Sequence, residues 1–162
     1  VCLGNICRSP TAQGVLEHLA ARRGVSDRLR IESRGTGSWH EGELPDPRTR
    51  AAAVRHGVEL VSRAKVLEPA RDLVPHERGG FDLILPMDRR NRAHLIKAGA
   101  SAERVVLFRA FDPLADRASG QAGLEVPDPY DDGPECRLFE EVFEIVRRSS
   151  ESLLDRIFPV PA

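Results

Sequence analysis

The chain has 162 residues, of which 41% are hydrophobic and 30% charged, with a formal net charge of −1 at pH 7. This size and composition predict one soluble globular domain spanning residues 1–162. The nearly neutral balance disfavours nucleic acid and membrane surfaces as partners. Three cysteines suit a reducing, cytoplasmic environment better than a secreted disulfide framework.

The first ten residues, VCLGNICRSP, predict the end of a buried strand, a short loop and the start of a helix. Because a strand needs about four to six residues and only Val1 precedes Cys2, we expect the given sequence to lack its true N-terminus. Backbone N–H groups in such a turn bind an anion, and the helix N-terminus adds partial positive charge. The guanidinium of Arg8 matches two phosphate oxygens. The stretch therefore predicts a phosphate-binding loop around Cys2.

Cys2 is a candidate nucleophile in this loop. A cysteine reacts as the thiolate, which nearby positive charge and a helix N-terminus stabilise. Ser9 can donate its hydroxyl to the sulfur as well as cap the helix. The alternative, a buried structural cysteine, leaves Gly4, Arg8 and Ser9 unexplained at these spacings.

Strands and helices alternate along the rest of the chain. Helical periodicity predicts helices over 9–23, 47–56, 88–97 and 135–158, with a shorter one after Pro69, and apolar runs predict strands over 29–33, 81–85 and 104–108. This alternation implies right-handed crossovers and a parallel sheet. We predict a three-layer α/β/α fold with a central four-stranded parallel sheet, a flavodoxin-like open sheet. Ligands bind beyond the carboxyl ends of such strands, where Cys2 lies.

A long segment, 109–134, is rich in Asp, Gly and Pro and has little periodicity. Segments of this kind are usually functional or disordered. Two of the three Asp-Pro pairs, at Asp112 and Asp128, lie in it, whereas the third, at Asp46, is explained as the cap of the following helix. A carboxyl group of this set is a candidate general acid for a departing alkoxide or phenoxide.

The single tryptophan, Trp39, and the single tyrosine, Tyr130, lie in polar loops outside any apolar periodicity. Core packing explains such positions poorly. Two flat rings beside an anion-binding loop can stack on a phenyl group and deepen the cleft in favour of phosphotyrosine over phosphoserine. The alternative is that both are surface aromatics in local packing.

The stretch VCLGNICRSP resembles the signature of the low-molecular-weight protein tyrosine phosphatases. The resemblance continues in SRGTGSWHEG, in FDLILPMD and in the DPR and DPY motifs that begin at Asp46 and Asp128. It implies a protein-tyrosine-phosphatase that hydrolyses phosphotyrosine monoesters through a phosphocysteine intermediate, with no cofactor and no metal.

The same resemblance implies the roles of individual residues. Cys2 is the expected nucleophile, Arg8 binds the phosphate, and Asp128 acts first as general acid and then as base. The expected substrate-binding residues are Leu3, Gly4, Asn5, Ile6, Cys7, Ser9, Trp39 and Tyr130. The implied partners are tyrosine-phosphorylated proteins, and we expect a monomer or weak dimer.

Cys7 is either a packed thiol or a redox residue that forms a reversible disulfide with Cys2, and the resemblance supports the second role. Two departures from the family pattern stand out. Asp131, followed by Asp132, replaces a second tyrosine and adds negative charge at the crevice rim. Ser62 replaces a histidine that often supports the loop asparagine, so that Asn5 needs another partner.

Other functions are disfavoured but stay open. An arsenate reductase of the same fold needs resolving cysteines late in the chain, where only Cys136 occurs, and we interpret Cys136 as structural. A non-catalytic phosphate-binding module gains nothing from Asp128 beside a dianion. Ile6 disfavours the protein-arginine phosphatases, in which threonine is typical. The five histidines show neither metal-ligand spacing nor a cysteine-protease motif.

Overall fold

The computed structural model describes residues 1–133 and 136–159. Its helices are α1 (Arg8–Arg22), α2 (Pro47–Arg55), α3 (Pro69–Asp72), α4 (Arg89–Lys97) and α5 (Arg137–Ile157). Short 3₁₀ turns occupy Ser26–Arg28, His76–Arg78, Ala102–Arg104, Phe108–Phe111 and Arg117–Leu124. The predicted helices are confirmed to within two residues, except that the start predicted at 135 lies outside the described residues. The last two turns give part of the segment 109–134 local structure that its composition did not predict.

Parallel backbone pairing lies at the centre of the molecule. Parallel bridges join Cys2 to Gly35, Gly35 to Val66, and Ile84 to Val105. The N–H of Met87 donates to the carbonyl of Val1 at 3.0 Å, which connects the two halves. The paired segments therefore run in the order 65–67, 34–36, 1–3, 84–87 and 104–108, and the architecture is α/β.

In the described part of the chain these bridges are isolated, so the predicted strands over 29–33, 81–85 and 104–108 do not appear as continuous strands. The segment predicted over 29–33 first pairs at Arg34, whose carbonyl accepts from the N–H of Cys2 at 3.2 Å. The sequence therefore predicts the positions of these segments better than their lengths.

Apolar clusters cover both faces of the paired segments. On one face α1 and α5 pack together, and their residues share a core with Met87, Phe108 and Val126. On the other face Leu95 of α4 packs with Ile84 and a smaller apolar set. Burying a side chain of this size stabilises the fold by roughly 1.5–3 kcal/mol. This packing fixes α1 and α4 on opposite sides of the paired segments.

The carboxyl ends of the paired segments meet the N-termini of two helices. The phosphate-binding loop leads from Cys2 into α1, and Asp88 caps α4 by accepting from the N–H of Asn91 at 2.7 Å. The N–H of Val126 donates to the carbonyl of Met87 at 2.8 Å, which brings the segment around Asp128 to the same edge. In the described ranges none of the helices has both the length and the apolar character that crossing a bilayer requires.

Candidate active site

The thiol of Cys2 lies at the bottom of the loop and is only 3% exposed. Its Sγ lies 3.0 Å from the hydroxyl oxygen of Ser9, and the backbone N–H of Asn5 points at it from 3.3 Å. The N-terminus of α1 begins a few residues later, at Arg8. Two hydrogen-bonding groups and the start of a helix therefore surround the Cys2 sulfur.

Asn5 holds the loop in its turn. Its φ of 57° lies in the left-handed region, which asparagine tolerates better than most residues. Its amide nitrogen donates to the hydroxyls of Ser9 at 2.8 Å and Ser33 at 2.9 Å, and its Oδ1 accepts from the N–H of Lys65 at 2.8 Å. These three partners supply the support that Ser62 leaves open, so the buried Asn5 amide is well satisfied.

A glycine-rich segment packs closely beneath the loop. The N–H groups of Thr36 and Gly37 donate to the carbonyls of Cys2 and Leu3, each at 2.9 Å. A Cβ on Gly35 would lie 3.0 Å from the Leu3 carbonyl oxygen, which leaves no room for a larger residue. Two backbone hydrogen bonds and one close contact thus fix the position of the phosphate-binding loop on this segment.

The guanidinium of Arg8 is almost fully buried and is held from two sides. Its Nη1 lies 2.7 Å from a carboxylate oxygen of Asp88 and 3.3 Å from the carbonyl of Val126, and its Nη2 lies 2.5 Å from a carboxylate oxygen of Asp128. Sequence reasoning missed Asp88. The signal was a helix-capping acid three residues after the end of the predicted strand over 81–85, on the same edge as Cys2.

Of the three Asp-Pro pairs, the structure brings one to Arg8. Asp128 lies there with its side chain 47% exposed. Asp46 caps α2 as predicted, by accepting from the N–H of Arg48 at 2.8 Å. Asp112 is fully buried in an ion pair with Arg148 at 2.9 Å. Asp128 is therefore the carboxyl group with access both to the loop and to solvent.

Three aromatic rings form a row beside the loop. Trp39 is 62% exposed and Tyr130 is 48% exposed, and the ring of His40 lies between them, 6.3 Å and 6.2 Å away by ring centroids. A Cβ on Gly4 would lie 3.0 Å from the His40 ring. We call these three residues the aromatic wall. Sequence reasoning missed His40 because it read the histidines as scattered.

The two aspartates after Tyr130 differ in their surroundings. The side chain of Asp132 accepts from the N–H of Leu138 at 2.7 Å and so caps the first turn of α5. Asp131 is exposed. Of the two predicted rim charges, Asp132 is therefore accounted for by a structural contact, and Asp131 is the one that faces solvent.

The side chain of Cys7 packs with Ala52 and Phe139 in an apolar cluster apart from Cys2. Burial raises the pKa of the Cys7 thiol to about 12, so it stays protonated near neutral pH and does not compete as a nucleophile. Cys2 and Cys7 are both free thiols in this structure, and the reversible disulfide between them stays a prediction.

Among the residues that the structure describes, no group of three or more His, Cys, Asp or Glu side chains is placed to hold a metal ion. The site thus consists of a buried thiol, a buried guanidinium and a half-exposed carboxyl. A thiolate, a cationic fork and an adjacent acid can together transfer a phosphoryl group.

The model of the family described as low molecular weight phosphotyrosine protein phosphatase matches residues 1–158. The chain is 36% identical over 155 residues to the low molecular weight protein-tyrosine phosphatase A of Mycobacterium tuberculosis, with 96% of this chain and 87% of that relative covered. It is 37% identical over 157 residues to a low molecular weight protein-tyrosine-phosphatase of Streptomyces coelicolor, with 95% and 88% covered.

Solved structures agree with these sequence relatives. The crystal structure of a protein tyrosine phosphatase from Entamoeba histolytica aligns with a TM-score of 0.81 at 27% identity, with 96% of this chain and 92% of that chain covered. YfkJ from Bacillus subtilis aligns with a TM-score of 0.79 at 30% identity, with 96% and 90% covered. As its N-terminal motif predicts, the chain belongs to the low molecular weight phosphotyrosine protein phosphatase family and is a protein-tyrosine-phosphatase.

Proposed function

We propose that Cys2 is the nucleophile of this phosphatase, Arg8 its phosphate-binding residue and Asp128 its general acid and base. The observation that supports this assignment best is that the loop that begins at Cys2 ends at Arg8, whose guanidinium lies 2.5 Å from the carboxylate of Asp128. The proposed substrate is phosphotyrosine in a protein. Backbone N–H groups of the loop residues Leu3 to Ser9 and the fork of Arg8 receive its phosphate.

Substrate binding exchanges one anion for another at Arg8. In the structure the Nη2 of Arg8 is bonded to the carboxylate of Asp128, while Nη1 is bonded to Asp88. An incoming phosphate dianion takes over the Nη2 side of Arg8 and releases Asp128, whose carboxylate then takes up a proton from solvent and turns toward the leaving oxygen. Asp88 stays in place because it also caps α4, and it keeps the fork oriented.

Two displacements at phosphorus complete the reaction. In the first, the Cys2 thiolate attacks phosphorus, the P–S bond forms, the P–O bond to the aryl group breaks, and protonated Asp128 gives its proton to the departing oxygen. In the second, the Asp128 carboxylate takes a proton from water, the water oxygen attacks phosphorus, and the P–S bond breaks. The hydroxyl of Ser9 and the N–H of Asn5 receive the returning thiolate.

The aromatic wall supports the preference for an aryl substrate. The exposed rings of Trp39 and Tyr130 are available to stack on a phenyl group whose phosphate lies in the loop. The named relatives are tyrosine phosphatases, which favours this activity over arsenate reduction. Asp128 beside the phosphate site favours an enzyme over a simple phosphate-binding module.

We further infer one domain over residues 1–162 with a central four-stranded, flavodoxin-like parallel sheet, whose strands lie at 34–36, 1–3, 84–87 and 104–108, while the segment 65–67 pairs at its edge. The family match over 1–158 and the likeness to solved structures support this arrangement. Tyrosine-phosphorylated proteins are the proposed partners, and a monomer or weak dimer stays a prediction. A cytoplasmic location stays a prediction from the three cysteines of the sequence.

A substrate panel tests the proposed activity. Phosphate release is measured from peptides carrying phosphotyrosine, phosphoserine or phosphoarginine, in the presence of a chelator, together with thioredoxin-coupled arsenate reduction. We expect turnover of phosphotyrosine alone. Absence of phosphotyrosine turnover contradicts the proposal, and arsenate reduction assigns the chain to the alternative activity.

The general acid is tested with Asp128→Ala. Because general acid catalysis contributes about 10²–10⁴-fold, kcat/KM for phenyl phosphate should fall by that range. For 2,4-dinitrophenyl phosphate, whose leaving group needs no proton, the fall should be small. Asp131→Ala, which removes the neighbouring exposed charge, is the matched control. An equal loss for both substrates would show that Asp128 is not the acid.

The position of the aromatic wall depends on Gly37. A Cβ there would lie 2.2 Å from the Trp39 ring, so Gly37→Ala should displace the ring. Stacking of aromatic pairs is worth about 0.5–1.5 kcal/mol, so we expect KM for aryl phosphates to rise about 2–10-fold while inhibition by inorganic phosphate is unchanged. The fluorescence of the single tryptophan reports the displacement directly. Unaltered fluorescence and KM would place the substrate ring elsewhere.

A further inference from the structure

Arg48, near the start of α2, joins two loops of the active site. Its guanidinium is bonded to the carboxylate of Asp46 on the same helix terminus, with Nε 3.1 Å from Oδ1 and Nη2 2.9 Å from Oδ2. The same Nη2 donates to the backbone carbonyl of Tyr130 at 3.1 Å. The guanidinium of Arg48 thus connects the N-terminus of α2 to the segment that carries the proposed general acid.

The helix terminus is itself fixed to the phosphate-binding loop. The backbone N–H of Asp46 donates to the carbonyl of Ile6 at 2.8 Å. Burial alone would raise the pKa of Asp46, but the side-chain and backbone hydrogen bonds from Arg48 lower it below its ordinary value. Asp46 is therefore a stable anion, and Ile6, Asp46 and Arg48 form a continuous connection from the loop.

The far end of this connection reaches Asp128. The backbone N–H of Tyr130 donates to Oδ1 of Asp128 at 3.3 Å, and the carbonyl of the same residue accepts from Arg48. The guanidinium of Arg48 also lies over the ring of Phe139 in α5, 4.5 Å from its centroid, which restricts its movement. Arg48 thus holds the residue whose N–H orients the carboxyl group of Asp128.

The contact from Arg48 matters because substrate binding removes the other contact that fixes Asp128, the one from Arg8. In the structure Arg8 fixes Oδ2 of Asp128, and the phosphate dianion takes that position in the proposed mechanism. We propose that Arg48 is a positioning residue. It holds the segment around Asp128 in place beside the phosphate-binding loop after Arg8 has exchanged Asp128 for the phosphate of the substrate. This inference rests on the proposed role of Asp128.

The effect of Arg48→Met should depend on the leaving group. A small misplacement of a catalytic group costs up to about 100-fold, so we expect kcat/KM for phenyl phosphate to fall about 10–100-fold. For 2,4-dinitrophenyl phosphate the fall should be less than about threefold, because its departure needs little acid assistance. Inhibition by inorganic phosphate should be unchanged, since the phosphate-binding loop stays intact.

Two further variants separate positioning from folding. Arg48→Lys retains the charge beside Phe139 but lacks the fork that reaches both Asp46 and Tyr130, so we expect an intermediate loss on phenyl phosphate. Arg50→Met, an exposed arginine two positions along the same helix, should behave as the original chain.

A double variant gives the sharpest test. If Arg48 acts through Asp128, Arg48→Met added to Asp128→Ala should cause no further loss on phenyl phosphate, because the effects of residues that act as a unit are not additive. Additive losses, equal losses on both substrates, or weaker inorganic phosphate inhibition in Arg48→Met would each overturn the positioning role. If Asp128→Ala itself shows no dependence on the leaving group, the proposed role of Asp128 fails first.

Discussion

The Cys2→Ser variant should lose phosphotyrosine turnover by at least about 10⁴-fold, because a serine hydroxyl is not ionised near neutral pH and is a poor nucleophile without a base. The variant keeps the shape of the loop, since Asn5 is held by Ser9, Ser33 and Lys65 independently of the thiol. Inorganic phosphate should therefore still bind. Phosphate release from a phosphotyrosine peptide measures the loss.

Cys136→Ser is the matched control for this experiment. Cys136 lies directly before α5, half-buried, and packs against the apolar cluster around Cys7. We expect the phosphotyrosine turnover of Cys136→Ser to stay within about threefold of that of the original chain. A conservative change away from the reacting atoms removes no catalytic group. A collapse of activity in Cys136→Ser, or substantial activity in Cys2→Ser, would contradict the assignment of the nucleophile.

Replacing Arg8 should have the second-largest effect. Arg8→Met removes the fork that receives two phosphate oxygens, and cationic groups of this kind contribute about 10³–10⁵-fold in phosphoryl transfer. We expect kcat/KM for phosphotyrosine peptides to fall by about 10³-fold or more. Arg8→Lys retains the charge without the fork and should lose about 10²-fold. Both losses are measured by steady-state kinetics.

A matched control for the arginine variants lies at the other end of α1. Arg23→Met removes an exposed arginine that pairs with Asp155 at 2.7 Å, and surface pairs contribute little. Its kinetics should equal those of the original chain. Equal retention of phosphate affinity in Arg8→Met and Arg23→Met would show that Arg8 is not the phosphate-binding residue.

Local patterns predicted much of this molecule. The helix signals around Pro47, Asp88 and the apolar face of α5 act over a few residues, so the sequence alone places these helices well. The phosphate-binding loop is likewise one contiguous stretch, from Cys2 to Ser9. Its contacts with Ser9 could be expected from the spacing alone.

Contacts between distant segments were harder to predict. Asp88 meets Arg8 across 80 residues of chain, and Asn5 finds Ser33 and Lys65 in two different segments. These partners depend on how the paired segments are ordered in space, which periodicity does not show. The predicted strand lengths were wrong for the same reason, because the extent of pairing depends on the neighbouring segment in space.

The chemistry is tested most directly by trapping the intermediate. The protein is mixed with an aryl phosphate, quenched in acid within the first turnover, digested and analysed by mass spectrometry for a phosphoryl group on sulfur. We predict one phosphoryl group, on the peptide that contains Cys2, absent from Cys2→Ser and increased in Asp128→Ala with 2,4-dinitrophenyl phosphate. Turnover without a phosphorylated Cys2, or with the phosphoryl group on another residue, would contradict the phosphocysteine mechanism.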